Sequence, residues 1–281
     1  MLRTHLLAMP RFVRIGIAID RAPAGVWLGL LAAALLPTWW WMARRLLDGS
    51  DDPLGILALA SLLVLAWASR RSLRASPRLG WLSLALGGAV ACSTGQGVLP
   101  PLLCALCGLL AVGAALAAFL PARIASAPVL GLSVLSLPLL ASLQFYAGYA
   151  LRVVTAEASR WLLAPLFAVE RTGSSLRVDG QLVIVDAPCS GVQMLWLGEY
   201  TACLVALFVG LRNRAFLARL PAVSALLIAG NVVRNTVLVG LEASGHAPPR
   251  WAHEAVGLLV LAAVCTAIAV VMHAPREPRH A

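Results

Sequence analysis

Three residues in the last third of the chain have side chains that together could perform acyl transfer: Cys189, Arg234 and His253. A cysteine thiolate is a strong nucleophile, and histidine is the usual base that generates it. An arginine can hold the negative charge that develops on the oxygen of an attacked carbonyl group. These residue types point to thiol-dependent cleavage or transfer of an acyl group, provided that the fold brings them to one place.

Cys189 lies in the stretch VDAPCSGVQM, residues 185–194, between a strand-like run and an apolar helix. A thiol at the start of a helix is near the positive end of the helix dipole, which favours the thiolate. Helical spacing would put Cys189 on one face with Gln193, Trp196 and Tyr200. The alternative from this stretch alone is a buried structural cysteine above a packing face.

Arg234 lies in the otherwise apolar stretch AGNVVRNTVLVG, residues 229–240. An arginine in a membrane-spanning helix costs roughly 2.5–3.5 kcal/mol on insertion scales, so it should face the protein interior. Asn231 and Asn235 are expected on the same face as Arg234. The alternative role is structural, with Arg234 neutralised by Glu199.

His253 lies in PPRWAHEAVG, residues 248–257, where the last apolar segment begins. In isolation, a histidine at this position could simply be an interfacial residue. Its value as a candidate therefore depends on where the chain topology places it relative to Cys189 and Arg234.

The composition indicates a membrane protein that must position these residues with helices. The chain has 281 residues, of which 60% are hydrophobic and 12% charged, whereas soluble domains carry about 25% charged residues. Apolar runs long enough to cross a bilayer recur along the sequence. We expect an all-α polytopic protein with about eight spans, near 24–43, 54–69, 79–96, 98–120, 128–151, 190–211, 215–241 and 253–273. The third and fourth spans should form a tight hairpin.

The net charge of +10 does not indicate a nucleic-acid partner. Every basic residue is an arginine, and these arginines lie between apolar runs, as topology signals do. The six cysteines and five histidines show no disulfide framework and no metal-ligand spacing, so the sequence predicts neither metal nor cofactor. Cys104 and Cys107, although spaced C-x-x-C, are interpreted as packing thiols within a helix.

Arginine placement predicts the orientation of the chain. With the N-terminus in the cytoplasm, the cytoplasmic segments hold twice as many arginines as the outer ones. Both termini are then cytoplasmic. Cys189 begins an inward-going helix, Arg234 lies near the outer end of the next one, and His253 begins the last. All three are therefore expected at the outer face of the membrane.

One long outer loop, about 152–188, precedes the sixth span and should be structured. Residues 158–169 are apolar but too few to span, so we expect an interfacial or re-entrant helix there. Asp179-Gly180 between β-branched runs predicts a two-residue β-hairpin turn, with a second strand at Leu182–Val185. We divide the chain into an N-terminal bundle of about five spans, 1–152, and a catalytic part, 153–281.

The order of Cys in APCSG, Arg in GNVVRN and His in WAHEAVG resembles the exosortase/archaeosortase family of membrane cysteine transpeptidases. The resemblance covers about 140–272. It implies that Cys189 is the nucleophile, Arg234 stabilises the thiolate or the transition state, and His253 is the general acid/base. Ser190, Asn231 and Gln193 are candidate supporting residues.

The resemblance also implies partners and a location. The substrates would be exported proteins with a C-terminal sorting tail of the PEP-CTERM kind, a short motif followed by an apolar span and a basic end. They would be cut at the periplasmic face of a bacterial inner membrane and passed to a surface, lipid-linked or exopolysaccharide-linked acceptor. The chain departs from many relatives in one respect, because Val192 is followed by Gln193 where arginine is common.

Other functions remain open at this stage. A transporter or channel component could use an intramembrane pair of Arg234 and Glu199, although the sequence shows no internal repeat of the kind common in transporters. A non-catalytic scaffold for polysaccharide export or assembly would not need Cys189. An acyltransferase or a rhomboid-like protease using Ser190 is a further enzymatic alternative.

Overall fold

The computed structural model describes residues 23–184, 191–244 and 249–273. These residues form eleven helices and one small sheet, which confirms the all-α polytopic fold class. In chain order the elements are α1 Ala24–Ala34, α2 Leu36–Leu47, α3 Gly55–Ser69, α4 Leu79–Gly95, α5 Pro101–Phe119, α6 Ser126–Leu135, α7 Leu140–Tyr146, α8 Gly148–Leu163, β1 Val169–Thr172, β2 Ser175–Val178, β3 Gln181–Ile184, α9 Val192–Val209, α10 Asn213–Ala243 and α11 Arg250–Met272.

Four described helices, α5, α9, α10 and α11, are individually long and apolar enough to cross a membrane. Two bent pairs raise that number to six if each is one span: α1 with α2, bent by 62°, and α6 with α7, bent by 83°. The shorter apolar helices α3 and α4 occupy the remaining two predicted positions. The structure thus has an apolar segment at each predicted position but does not confirm a count of eight spans.

The predicted fifth span, 128–151, is not one straight helix. Its first part is α6, its second part is α7, and α8 already begins at Gly148. Pro138 lies at the break and has no N–H to continue the helical hydrogen-bond ladder. The break turns the chain sharply, and α8, which continues past residue 151 to Leu163, packs against α10.

The largest hydrophobic core joins both halves of the chain. Leu62 of α3 and Leu132 of α6 pack with residues of α9, α10 and α11. Trp196 of α9 is almost fully buried there, and its Nε1 donates a hydrogen bond to the carbonyl oxygen of Leu135. The three C-terminal helices are therefore held by the N-terminal ones. The division at residue 152 stays a prediction.

The predicted hairpin of the third and fourth apolar segments is present as α4 and α5. Gly97 has a φ of +82° in the short turn between the two helices. Small residues allow the helix backbones to approach closely. At Gly88 a Cβ atom would lie only 3.0 Å from the carbonyl oxygen of Cys107.

The predicted Asp-Gly hairpin is confirmed, and a third strand extends it. Asp179 and Gly180 both have positive φ, as a type I′ turn requires, and they join β2 to β3. The additional strand β1 pairs antiparallel with β2, so the order is β1-β2-β3. The helix expected at 158–169 is instead α8, which ends at Leu163 because the chain turns and enters β1 at Val169.

A separate small core attaches this sheet to the helices. Leu176 and Val178 of β2 and Val183 of β3 pack with Ala156 of α8 and Val239 of α10. All five side chains are buried. The sheet therefore sits where α10 ends and α9 begins, and we call this end of the bundle the site end.

Candidate active site

The chain segment that contains the candidate nucleophile runs from the sheet to α9. Strand β3 ends at Ile184, and the next described residue is Gly191. Cys189 and Ser190 lie outside the described residues. The described surroundings of the site are therefore the start of α9, the second half of α10 and the start of α11.

Gly191 occupies a position that requires glycine. It is the N-cap of α9 and has a φ of +83°, in the left-handed region that side chains disfavour. A Cβ atom there would also lie 2.8 Å from Cγ of Asn231. The backbone of Gly191 thus fits tightly against the Asn231 side chain of α10.

The face of α9 that begins near Gly191 is exposed in the first turn and buried further along the helix. The helix begins at Val192, so the predicted face can be followed only from Gln193, and its extension to Cys189 falls outside the described residues. Gln193 is exposed, whereas Trp196 is buried and stacks on Tyr200, with ring centroids 5.3 Å apart. The Tyr200 hydroxyl lies 2.9 Å from that of Ser61 in α3. Of this helix face, only Gln193, in the first turn of α9, lies at the site.

Arg234 is directed at α11. Its Nε atom lies 3.2 Å from the point that a Cβ atom of Gly257 would occupy, so the missing side chain makes room for the guanidinium group. Arg234 is half-buried. Glu199, the suggested structural partner, accepts a hydrogen bond from Ser224 Oγ at 3.0 Å and forms no ion pair with Arg234.

His253 lies in the first turn of α11, where its backbone N–H donates to the carbonyl oxygen of Pro249 at 3.1 Å. The residue precedes Gly257 by four positions, so the two lie one above the other on one helix face, with about 5–6 Å between Cβ positions. His253 is half-buried. The structure therefore brings His253 to within one helical turn of the place where Arg234 packs on α11.

A cleft with a volume of about 370 Å³ opens between α9, α10 and α11 at this point. Its polar lining comes from Gln193, Arg234 and Glu254. The rest is apolar or glycine: Gly191, Met194, Leu197, Gly257, Leu258 and Leu261. Such a cleft can hold a peptide segment with a polar backbone at the rim and apolar side chains along the wall.

Asn231 and Asn235 do not share the direction of Arg234, contrary to the expectation from sequence. Nδ2 of Asn231 donates to Thr155 Oγ1, and Nδ2 of Asn235 donates to Ser159 Oγ, each at 3.0 Å. Both asparagines therefore face α8. Helical geometry places them 60–100° around α10 from Arg234, because each residue advances by about 100°.

The sequence interpretation missed the two hydroxyl residues of α8. Thr155 and Ser159 are buried, and they are spaced by four residues, as are Asn231 and Asn235. Two small polar residues at this spacing in RVVTAEASRW could have indicated a polar helix face, since positions i and i+4 lie on one side of a helix. The sequence could not indicate which helix they meet.

Charged residues join α8 to the sheet. Glu157 accepts hydrogen bonds from Arg160 at 2.6 Å, from Arg171 of β1 at 2.5 Å and from the indole N–H of Trp161 at 2.9 Å. The hydrogen bonds from Arg160 and, second, from Arg171 favour the charged carboxylate and lower the pKa of Glu157 from 4.5 to about 2. This cluster stabilises the attachment of β1 to α8.

The other cysteines offer no rival nucleophile with a similar setting. All five that fall within the described residues, namely Cys92, Cys104, Cys107, Cys203 and Cys265, are free thiols in apolar helices. Across residues 23–184, 191–244 and 249–273, no three His, Cys, Asp or Glu side chains are grouped to hold a metal ion.

Comparison with protein-family models gives a match over most of the chain. The sequence model of the transmembrane exosortase family matches residues 40–270 of this chain, well over half of its length. Neither the curated proteins nor the solved structures contain a significant match.

Proposed function

Since the chain belongs to the transmembrane exosortase family, a family of membrane cysteine transpeptidases, we propose that it cleaves the C-terminal sorting tail of exported proteins. In this proposal Cys189 is the nucleophile, Arg234 stabilises developing negative charge, and His253 is the general acid/base. The cleaved protein is then transferred to a surface, lipid-linked or exopolysaccharide-linked acceptor.

One observation carries this proposal: Arg234 and Gly257, which is four residues after His253 in α11, line a cleft that begins at Gly191. Gly191 follows Cys189 by only two residues, and two residues of chain span at most about 7 Å. In this proposal, the end of the bundle that carries the cleft brings together three residues that are separated by 45 and 19 positions in the sequence.

The proposed reaction has two steps. The Cys189 thiolate attacks the scissile carbonyl carbon, while Arg234 and nearby backbone N–H groups hold the oxyanion. The C–N bond then breaks, His253 gives its proton to the leaving amine, and the substrate remains as a thioester on Cys189. An amine, hydroxyl or water acceptor next attacks the thioester, transfers its proton to His253 and releases the thiolate.

The described contacts favour this function over transport. A transport path built on an Arg234–Glu199 pair would need those groups to meet, and Glu199 is instead bonded to Ser224. We further propose that the chain lies in a bacterial inner membrane with cytoplasmic termini and that the site end faces the periplasm. Arginine placement supports that orientation.

A processing assay in the native host tests the proposal. We would tag an exported protein that carries an apolar C-terminal tail followed by arginines and follow its cleavage by gel shift and mass spectrometry. We expect Cys189→Ala to abolish the processed form while the enzyme remains at normal abundance in the membrane. The mass of the product would identify the cut site.

Cys107→Ala is the matched control, since Cys107 is a half-buried thiol of α5, outside the site. It should process the substrate at the wild-type rate. Wild-type processing by Cys189→Ala would refute the thiol mechanism and favour a scaffold. Equal loss in both variants would indicate a general effect of losing a thiol on folding.

A further inference from the structure

We propose that Thr155 and Ser159 of α8 are positioning residues that set the direction of Arg234 and hold Asn231 against Gly191. The inference rests on the proposed function, in which Arg234 acts on the reacting carbonyl group. It concerns a contact between α8 and α10 whose residues take no direct part in the proposed chemical steps.

A ladder of hydrogen bonds joins α8 to α10. Asn231 donates to Thr155, and Asn235 donates to Ser159, each at 3.0 Å. A third hydroxyl, that of Thr236, also lies 3.0 Å from Ser159 Oγ. Thr155, Ser159, Asn231 and Asn235 are all buried. Buried amide and hydroxyl groups require partners, so this pairing selects one register of α8 against α10.

The ladder also fixes the rotation of α10 about its own axis. In lipid, apolar side chains do not distinguish one helix face from another, because lipid tails are as apolar as leucine. The side of α10 roughly opposite the ladder carries exposed apolar residues, including Val233, Val237 and Leu241. The polar ladder is therefore the feature that fixes which side of α10 faces α8.

The rotation of α10 in turn sets the direction of Arg234. Arg234 is one residue from Asn235 and three from Asn231, so it projects 60–100° away from the ladder, towards Gly257 of α11. Asn231 itself also contacts Gly191 at the start of α9. Fixing the ladder thus fixes both Arg234 and the point where the segment containing Cys189 joins α9.

The test compares Thr155→Val, Ser159→Ala and the double variant in proteoliposomes, with the tagged, tail-bearing protein as substrate. Thr155→Val removes the hydroxyl and keeps the shape of the side chain. Misplacement of a catalytic group by about 1 Å can cost 100-fold, so we expect kcat to fall about 10- to 100-fold. The KM should stay unchanged, because the ladder does not line the cleft of Arg234.

Two comparisons separate positioning from a general structural role. Thr155→Ser restores the hydroxyl and should restore kcat. Ser136→Ala removes a buried hydroxyl that bonds only within its own helix, to the Leu132 carbonyl oxygen, and should leave kcat unchanged. If the double variant fails to accumulate, Thr155→Val alone decides the outcome.

Each result supports or overturns the inference. A rise in KM at constant kcat, wild-type kcat in Thr155→Val, or no rescue by Thr155→Ser would overturn it and leave the proposed function intact. A wild-type enzyme no more active than Cys189→Ala would overturn the proposed function, and the inference with it.

Discussion

Arg234 and Arg219 lie on the same helix and both meet α11, but at opposite ends. Arg234 packs on Gly257 at the site end, whereas Arg219 donates to the carbonyl oxygen of Met272 at 3.1 Å. The two arginines therefore differ mainly in position, which makes them a matched pair for mutagenesis.

Arg234→Ala should lower the processing rate about 10²- to 10³-fold, the usual cost of removing an oxyanion donor. The rate is measured by the appearance of the cleaved, tagged substrate at equal enzyme abundance. Arg219→Ala should retain most of the activity, because its guanidinium caps the far end of α11. Equal losses in the two variants would assign Arg234 a structural role.

His253 and His273 form a second pair at the two ends of α11. His253 lies in the first turn, and His273 is the C-cap residue. His253→Gln should reduce processing about 10²- to 10⁴-fold because the variant cannot transfer a proton to the leaving amine. His273→Gln should process at nearly the wild-type rate. An active His253→Gln enzyme would exclude this histidine as the acid/base.

At the scale of the elements, α9 is flanked by two glycines whose conformations can be compared directly. Gly191 and Gly210 both have positive φ, +83° and +69°, at the two ends of the helix. A Cβ atom at Gly191 would collide with Asn231, whereas at Gly210 nothing lies within 4 Å.

Gly191→Ala should therefore cost more than Gly210→Ala. In both variants the left-handed backbone lowers the free energy of unfolding by about 1–2 kcal/mol. Only Gly191→Ala must also displace Asn231. We expect a lower thermal unfolding temperature for both variants in detergent, and a large loss of processing for Gly191→Ala alone. Comparable activity in the two variants would show that the Gly191–Asn231 contact is not needed.

The link between α8 and the sheet should depend on pH. Because the pKa of Glu157 is lowered to about 2 in the folded protein, its ion pairs contribute fully above pH 4.5 and are lost as the pH falls towards 2. Hydrogen exchange of β1 should therefore be slow at pH 5 relative to its intrinsic rate and less protected at pH 3.

Glu157→Gln should show the reduced protection at both pH values, because the neutral amide cannot pair with Arg160 and Arg171. Glu170→Gln, a change at an exposed residue of β1, is the control and should behave as the wild type. Protection of β1 that is the same at pH 5 and pH 3 in the wild type would show that the Glu157 cluster does not hold the sheet.

For the whole molecule, the central prediction is its orientation in the membrane. A reporter enzyme that is active only outside the cytoplasm should be active when inserted in the turn at Gly173 and inactive when fused after Gly210. The first position is in the sheet at the site end, and the second follows α9 at the opposite end. The reverse result would invert the topology and place the site in the cytoplasm.

Features set by local sequence could be predicted, and features set by distant packing could not. The Asp179-Gly180 turn needs two positive φ angles, which this residue pair favours between two strands. The bend at Pro138 was missed because apolar residues continue across it. Strand β1 was missed because its only local signal is the short turn that contains Gly173.

The same distinction holds at the site. Alternating helix directions sufficed to place Arg234 and His253 at one end, because consecutive spans must reverse. The direction of Asn231 and Asn235 could not be deduced from the sequence, because their partners Thr155 and Ser159 lie 76 residues away. Nothing in the sequence indicates that the helix of these partners packs against α10. Periodicity gives the faces of a helix but not the neighbour that each face meets.

The packing of Arg234 on Gly257 has a consequence for how the protein is made. Among the described helices, α11 is the last to leave the ribosome, and Arg234 and His253 both follow Cys189 in the order of synthesis. A chain that is still being inserted, or that terminates before α11, therefore lacks His253, and its Arg234 lacks the surface at Gly257 on which it packs. Under the proposed function, catalytic competence would begin only after α11 is inserted, so that nascent chains would not cleave exported proteins that pass through the same translocation machinery.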